Sequence, residues 1–481
     1  RRRILRRLSF LGYDSLMVSI SALLDPLTTP AELVLPEAEG AVRCTACAHR
    51  CLVRPGRRGI CQVRYNSRGT LRVPWGYVSG LNSDPIEKKP FFHVLPGSMA
   101  LSFGMLGCDL HCGYCQNWVT SQALRNPLSL APPMPMNAEK FCRLAFEQGA
   151  ETVTSTYNEP LITSEWAVEV FKEARGHGLY TSYVSNGNGT EEVLDYIKPW
   201  VDFYKVDLKS FNDKNYRQLG GKLDSVLKTV EMLHQKGFWL EIVTLFIPGF
   251  NDSEDELRAI AKFLASISRD IPWHVTAFHP DYKMTGPPPT MASQLIRAAE
   301  IGVEEGLRFV YAGNLPGRVG RWENTYCPEC RELLVERTGY LIRNHRLTPD
   351  GRCPECRTAI PGIWVGGGRV SCLRRRKGWK PPPLGAGADE VGEHLAGVEV
   401  LGHGALGHGQ GKGDVAEGEP FAVMHPHGHP ISLGKHIQQP LHLLDELGRG
   451  HAIGQAGPLH ALELIGHQRR VLRRIIEDDR Q

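Results

Sequence analysis

Residues 107–115 read Gly-Cys-Asp-Leu-His-Cys-Gly-Tyr-Cys and decide what the rest of the chain must build. Cys108, Cys112 and Cys115 are spaced C-x3-C-x2-C, directly after the apolar, strand-like run 99–106. A 4Fe–4S cluster takes one ligand at each of its four irons. Three thiolates leave one iron open, and an open coordination position marks a catalytic metal site rather than a structural one. Zinc held by the three thiols and a distant fourth ligand is the competing reading. The strand before the loop and the residues at later strand ends favour the cluster. Tyr114, just before the last thiol, is placed to shield it and to lie near an adenine; otherwise it is one more packed aromatic.

Further along, strand-like runs recur at 151–157, 180–185, 201–208, 238–247, 273–278 and 308–312. Helix-like stretches lie between them, at 138–148, 161–174, 225–235, 254–268 and 293–305. Such alternation predicts an α/β fold with a parallel sheet and right-handed crossovers. The count of βα units exceeds a simple doubly wound half and falls short of an eightfold barrel, so a partial (β/α) barrel is expected.

Polar residues gather where the strands end: Cys108, Tyr157-Asn158-Glu159-Pro160, Ser185-Asn186-Gly187, Asp207-Leu208-Lys209 and Phe278-His279-Pro280. In barrel-like sheets the carboxyl ends of the strands build the active site. Glu159 reads equally well as an acceptor for a substrate amino group and as a cap for the helix that follows. Asp207 and Lys209 alternate around Leu208 and share one face, as pocket residues or as a strand-end ion pair. His279, taken alone, reads as a loop histidine.

A length of 481 residues, 42% hydrophobic and 22% charged, is that of an ordinary globular protein with room for two or three domains. The net charge of +4 is too small to indicate nucleic acid. No apolar run is long enough for a transmembrane helix. Eleven of the 13 cysteines fall into three tight groups, with Cys142 and Cys372 apart. Close C-x2-C and C-x3-C spacing reads as metal ligation in a reducing compartment, hence the cytoplasm. Cys44, Cys47, Cys51 and Cys61 form a four-thiol set for zinc or a second iron–sulfur cluster. Cys327, Cys330, Cys353 and Cys356 form two C-x2-C knuckles in a zinc-ribbon pattern, whose simplest role is folding.

These features divide the chain into five parts. They are an irregular basic extension (1–40), a four-cysteine metal-binding module (41–80), the barrel core (95–320), a zinc-ribbon-like module (321–366) and a low-complexity tail (370–481). Five of the first seven residues are Arg, and the apolar stretch after them is short and interrupted by serines. A fragment start or run-on extension therefore fits better than a targeting segment. From Pro381 onward the tail holds 11 of the 19 histidines and lacks Cys, Trp, Tyr, Thr and Asn. That bias reads as compositional, or as a non-native reading frame, before it reads as a metal site.

With those residues laid out, the chain resembles the radical S-adenosylmethionine (SAM) enzymes of the AmmeMemoRadiSam group, relatives of the glycyl-radical-enzyme activases. The resemblance runs over residues 42–364. It rests on C-T-A-C-A-H-R-C at 44–51, R-R-G-I-C at 57–61, D-P-I-E-K-K-P-F-F-H at 84–93 and G-C-D-L-H-C-G-Y-C-Q-N-W at 107–118. T-Y-N-E-P at 156–160, S-N-G, V-D-L-K, F-H-P-D-Y-K-M, A-G-N and N-T-Y-C-P-E-C follow in order.

The resemblance implies a radical SAM type barrel in which Cys108, Cys112 and Cys115 ligate a 4Fe–4S cluster and SAM chelates the open iron. Asn158 and Glu159 fall where activases carry a Gly-Gly-Glu-Pro turn for the SAM amino group; Tyr157-Asn158 replaces the two glycines. Ser185 and Asn186 fall where the ribose or methionyl portion is held. Asp207, Lys209 and His279 match pocket-lining positions. The implied reaction is reductive cleavage of SAM to a 5′-deoxyadenosyl radical that removes hydrogen from an unidentified substrate. Its alternatives are glycyl-radical activation of a protein partner and a non-catalytic zinc or nucleic-acid-binding protein. Implied cofactors are the cluster, SAM and zinc. Implied partners are an electron donor such as flavodoxin or ferredoxin, and Memo-type and AMMECR-type pathway proteins, with neither membrane nor nucleic acid.

Overall fold

Val, Thr, Ile and aromatic residues crowd the strand-like runs, and in the computed structural model each run becomes a strand buried on both faces. The structure describes residues 20–364, apart from Leu128 and Leu130. The Arg-rich start, Cys372 and the Gly/His-rich tail lie outside the described residues.

The main sheet comprises β1 (Gly80–Pro85), β2 (Met99–Gly104), β3 (Thr152–Ser155), β4 (Tyr180–Ser185), β5 (Phe203–Asp207), β6 (Trp239–Phe246), β7 (Trp273–Ala277) and β8 (Val310–Gly313). Its strand order follows the chain from β1 to β8. β1 runs antiparallel to β2, and every later pairing is parallel. A doubly wound sheet reverses its order at a switch point. This order never reverses, so right-handed crossovers all fall on one face and the sheet curls as a partial barrel.

The crossover helices are α1 (Ala138–Glu147), α2 (Ser164–Gly176), α3 (Glu191–Ile197), α4 (Asp213–Leu219), α5 (Leu223–Gln235), α6 (Glu254–Ile267) and α7 (Ala292–Glu304). Side chains of Asn137, Thr190, Asn212 and Ser253 accept from backbone N–H groups in the first turns of α1, α3, α4 and α6. α4 stops at Gly220, whose φ of +87° is the left-handed cap that glycine supplies without strain.

Residues expected to be irregular before position 40 contribute two short strands. Thr28–Pro30 pairs with Thr70–Pro74, and Val34–Pro36 pairs with Val42–Cys44. At three residues each, they are too short to leave a periodic signal. The small sheets dock on the barrel through Arg64 and Glu165, each 1% exposed at the side chain. Arg64 donates to both Glu165 oxygens, at 3.0 and 2.5 Å, and also to the Ile162 carbonyl.

At the other end, the hairpin of Leu333–Thr338 and Leu341–His345 packs with Phe92, Phe309, Tyr311 and Trp364. Beneath it lies a buried polar network. Glu241 accepts from the N–H groups of Phe92 and His93 and pairs with His274 at 2.7 Å, while His93 Nε2 meets the Tyr311 hydroxyl at 2.6 Å.

Candidate metal and cofactor site

The cysteine loop leaves β2 and folds across the carboxyl end of the barrel. Cys108, Cys112 and Cys115 pack in one cluster with Leu110, Tyr114, Leu219, Ile247 and Phe278. Tyr114 is 5% exposed and meets Phe250 edge-on at 5.9 Å. The loop is pinned from several sides: the Gly113 carbonyl accepts from Lys283 N and Met284 N, and the Leu110 carbonyl from Gln122 and Arg125. Leu110 N donates to Cys108 Sγ at 3.4 Å, and Cys115 Sγ lies 3.2 Å from the Ser121 hydroxyl.

Glu159 ties two strand ends together, those of β3 and β4. Its Oε1 accepts from Leu161 N and the Ser185 hydroxyl, and its Oε2 accepts from Asn186 N at 2.7 Å. Both lone pairs of Oε1 are used, and one on Oε2 remains. Of its two expected roles the cap is seen, at the turn Pro160–Thr163. Burial, and next the Asp109 charge, push its carboxyl up to about 8. Asn158 accepts from Met105 N at 3.0 Å and so joins the exits of β2 and β3.

Tyr157 has a φ of +67°, the left-handed conformation glycine favours. Its side chain places a phenol hydroxyl at this bend. Asn82 and Lys89 donate to that hydroxyl, both at 3.1 Å.

Asp207 meets Lys209 at 3.5 Å and also pairs with Lys205, which lies two residues earlier on the same face. Burial alone would raise the Asp207 carboxyl, but the two lysines hold it below the usual range. Lys209 stays protonated because Asp207 and Cys112 outweigh its desolvation. His279 is exposed on the rim, its Nε2 3.0 Å from Gln116 of the cysteine loop.

The signature of the Radical SAM superfamily matches residues 104–264. Over 321 residues, 66% of this chain and 94% of the relative, the chain is 36% identical to the uncharacterized protein MJ0808 of Methanocaldococcus jannaschii. The chain belongs to the radical SAM superfamily. It is also 26% identical to the pyruvate formate-lyase-activating enzyme of Clostridium pasteurianum over 176 residues, 36% of this chain and 71% of that enzyme. A solved domain of the pyruvate-formate lyase-activating enzyme from Bacteroides vulgatus overlays with a TM-score of 0.31 at 22% identity, covering 34% of this chain and 98% of the other.

Radical SAM membership implies a 4Fe–4S cluster and SAM, and the donor set fits. Burial pushes the Cys112 thiol up to about 11 and raises those of Cys108 and Cys115. Three gathered thiols beside the acids Asp109 and Glu159 have Lys209 as a neighbouring cation, and bound iron supplies the further positive charge that three thiolates need. No described helix is long and apolar enough to cross a membrane.

Residues absent from the sequence reading complete this radical SAM site. Asp109 is fully buried; Asn186 Nδ2 donates to one of its oxygens at 2.7 Å and Asn188 Nδ2 to the other at 2.8 Å. His49, from the 44–61 segment, has its Nε2 3.9 Å from Asp109. The signal for Asp109 and for His49 is a place inside a cysteine motif; Asn188 carries none. In the ribbon, Cys327, Cys330, Cys353 and Cys356 bring their sulfurs within 4.8 Å of one another, a set that could hold a metal ion.

Proposed function

We propose that this radical SAM protein is an enzyme that holds a 4Fe–4S cluster through Cys108, Cys112 and Cys115 and binds SAM over the carboxyl ends of β3, β4 and β5. When bound, the reduced cluster supplies one electron to the SAM sulfonium, releasing methionine and a 5′-deoxyadenosyl radical that takes hydrogen from a substrate. The carrying observation is the convergence of the three thiols with Glu159, Ser185, Asn186, Asp207 and Lys209 at one end of the barrel. Glu159 offers its remaining Oε2 lone pair to the SAM amino group and orients Ser185 and Asn186. Lys209 places a fixed cation beside the thiolates, Tyr114 and Phe250 exclude water, and His279 closes the outer rim. Zinc in the ribbon set is a folding element of this reading.

Anaerobic reconstitution, then dithionite and SAM, should yield 5′-deoxyadenosine. A protein with confirmed cluster content and no product would overturn the reading. Cys112→Ala should lose the cluster. A low-potential carrier such as flavodoxin or ferredoxin fits as electron donor in cells.

A second reading, activation of a protein partner by glycyl radical formation, draws on the likeness to pyruvate formate-lyase-activating and isethionate sulfite-lyase activating enzymes. Memo-type and AMMECR-type proteins are the partners to try first. Mass spectrometry for SAM-dependent change on them decides it, and unmodified partners would leave another substrate.

A further inference from the structure

Two sets of four cysteines flank the barrel, and sulfur spacing separates them. Zinc holds thiolate sulfur at about 2.3 Å, so two sulfurs of a tetrahedral site lie about 3.8 Å apart. The ribbon set is built at that scale: Cys327 Sγ lies 3.5 Å from Cys356 Sγ, and Cys330 Sγ lies 3.5 Å from Cys353 Sγ. Among the described residues, no other group of three or more Cys, His, Asp or Glu side chains brings its ligand atoms within 4.8 Å of one another. Cys44, Cys47, Cys51 and Cys61 are therefore more widely set than the ribbon cysteines, as are Cys108, Cys112 and Cys115.

They are nonetheless gathered. Arg50 N donates to the Cys47 carbonyl at 3.0 Å, which closes the turn between Cys47 and Cys51. Cys44, Cys47 and Cys61 are each 6% exposed. Cys44 N donates to the Cys51 carbonyl at 3.0 Å, and Ile60 N donates to Cys51 Sγ at 3.4 Å. N–H bonds to sulfur are among the levers by which proteins tune iron–sulfur clusters.

The set also abuts the catalytic loop. His49, between Cys47 and Cys51, has its Nε2 3.9 Å from Asp109, the residue after Cys108. Ala48 N donates to the Asn188 carbonyl at 2.9 Å, and Asn188 holds Asp109.

We propose that Cys44, Cys47, Cys51 and Cys61 hold a second 4Fe–4S cluster, closed by four thiolates, beside the open one at Cys108, Cys112 and Cys115. Closure leaves it no iron for SAM, which makes it an electron-transfer centre. Only its neighbour's role rests on the proposed function; its own metal does not.

Metal and sulfide analysis of the anaerobically reconstituted full chain, with Mössbauer and EPR spectra, tests this. The wild type should hold about eight irons, in two cluster populations, and about one zinc. A Cys108→Ala/Cys112→Ala/Cys115→Ala variant should keep about four irons and an EPR signal that SAM leaves unmoved. Cys44→Ser/Cys47→Ser should lose that signal and keep the SAM-responsive one. A wild type with one SAM-responsive cluster and about two zinc ions would overturn this inference and spare the proposed function. A wild type holding a single cluster unresponsive to SAM, which the triple variant retains, would do the reverse. A wild type with zinc in place of iron would overturn both.

Discussion

Asn186 donates its Nδ2 hydrogen to Asp109 Oδ1 at 2.7 Å, which bonds the residue after Cys108 to the residue after β4. Asn188 takes the other oxygen. Two neutral amides thus hold a fully buried carboxylate, and buried charge is tolerated only when so satisfied. The same Asn186 gives its backbone N–H to Glu159, so one residue positions both acids of the site.

Asn186→Ala should therefore slow SAM cleavage. Losing a hydrogen bond to a buried charge costs about 1.5–3 kcal/mol, or about tenfold or more in rate where the bond is fully made only in the transition state. 5′-Deoxyadenosine formation per cluster is the measurement. An unchanged rate at equal iron content would remove the positioning role.

Glu165→Gln should destabilise the chain by about 3–5 kcal/mol, because it leaves the Arg64 guanidinium buried and unpaired. Replacing both partners with apolar residues, as in R64M/E165L, should recover much of that. Thermal melts of the three proteins decide, and equal melting of E165Q and wild type would contradict the account.

Glu87 sets a pH dependence. Burial pushes its carboxyl from 4.5 up to about 7, against Arg337 and the N–H of Gly97, and its Oε2 has no hydrogen-bond partner. The folded chain keeps a proton that the unfolded chain releases. The stabilisation is full below about pH 4.5 and is lost as pH rises through about 7. Glu87→Gln removes this dependence. The stability of wild type relative to E87Q should fall by up to about 3 kcal/mol between pH 5 and 8, followed by chemical denaturation. A difference flat with pH would count against it.

Gly104→Ala should disturb the site from below. An added Cβ would come within 2.7 Å of the Thr156 carbonyl oxygen and 2.8 Å of Tyr157 Cβ, where β2 and β3 end. Overpacking of this kind costs about 1–3 kcal/mol. Iron uptake on reconstitution should drop with stability, and normal uptake in G104A would show that the exits tolerate the shift.

Seven strands and five helices were legible in the sequence because each is a long enough patterned run. β1 was not: Gly-Leu-Asn-Ser-Asp-Pro carries one large apolar residue, and only its antiparallel pairing with β2 makes it a strand. The seven-residue helices α3 and α4 are held by caps and packing rather than by periodicity. Strand-end residues were legible as a group, since polar residues after apolar runs stand out. Asp109 was hidden among cysteines, and its partners lie 77 and 79 residues away. Glu241 and His274 sit inside apolar runs and are explained by each other and by the N–H groups of Phe92 and His93.

The stretch that carries the superfamily signature, 104–264, is not self-sufficient. Cut out alone, it would keep Glu165 without Arg64, and Glu241 without His274 or the N–H groups of Phe92 and His93. Two carboxylates would be stranded in the interior, so the excised piece should show no cooperative melt. Inheritance here acts on the whole described assembly: Arg64 from the N-terminal module and His274 from β7 supply the partners without which the shared part has no stable interior.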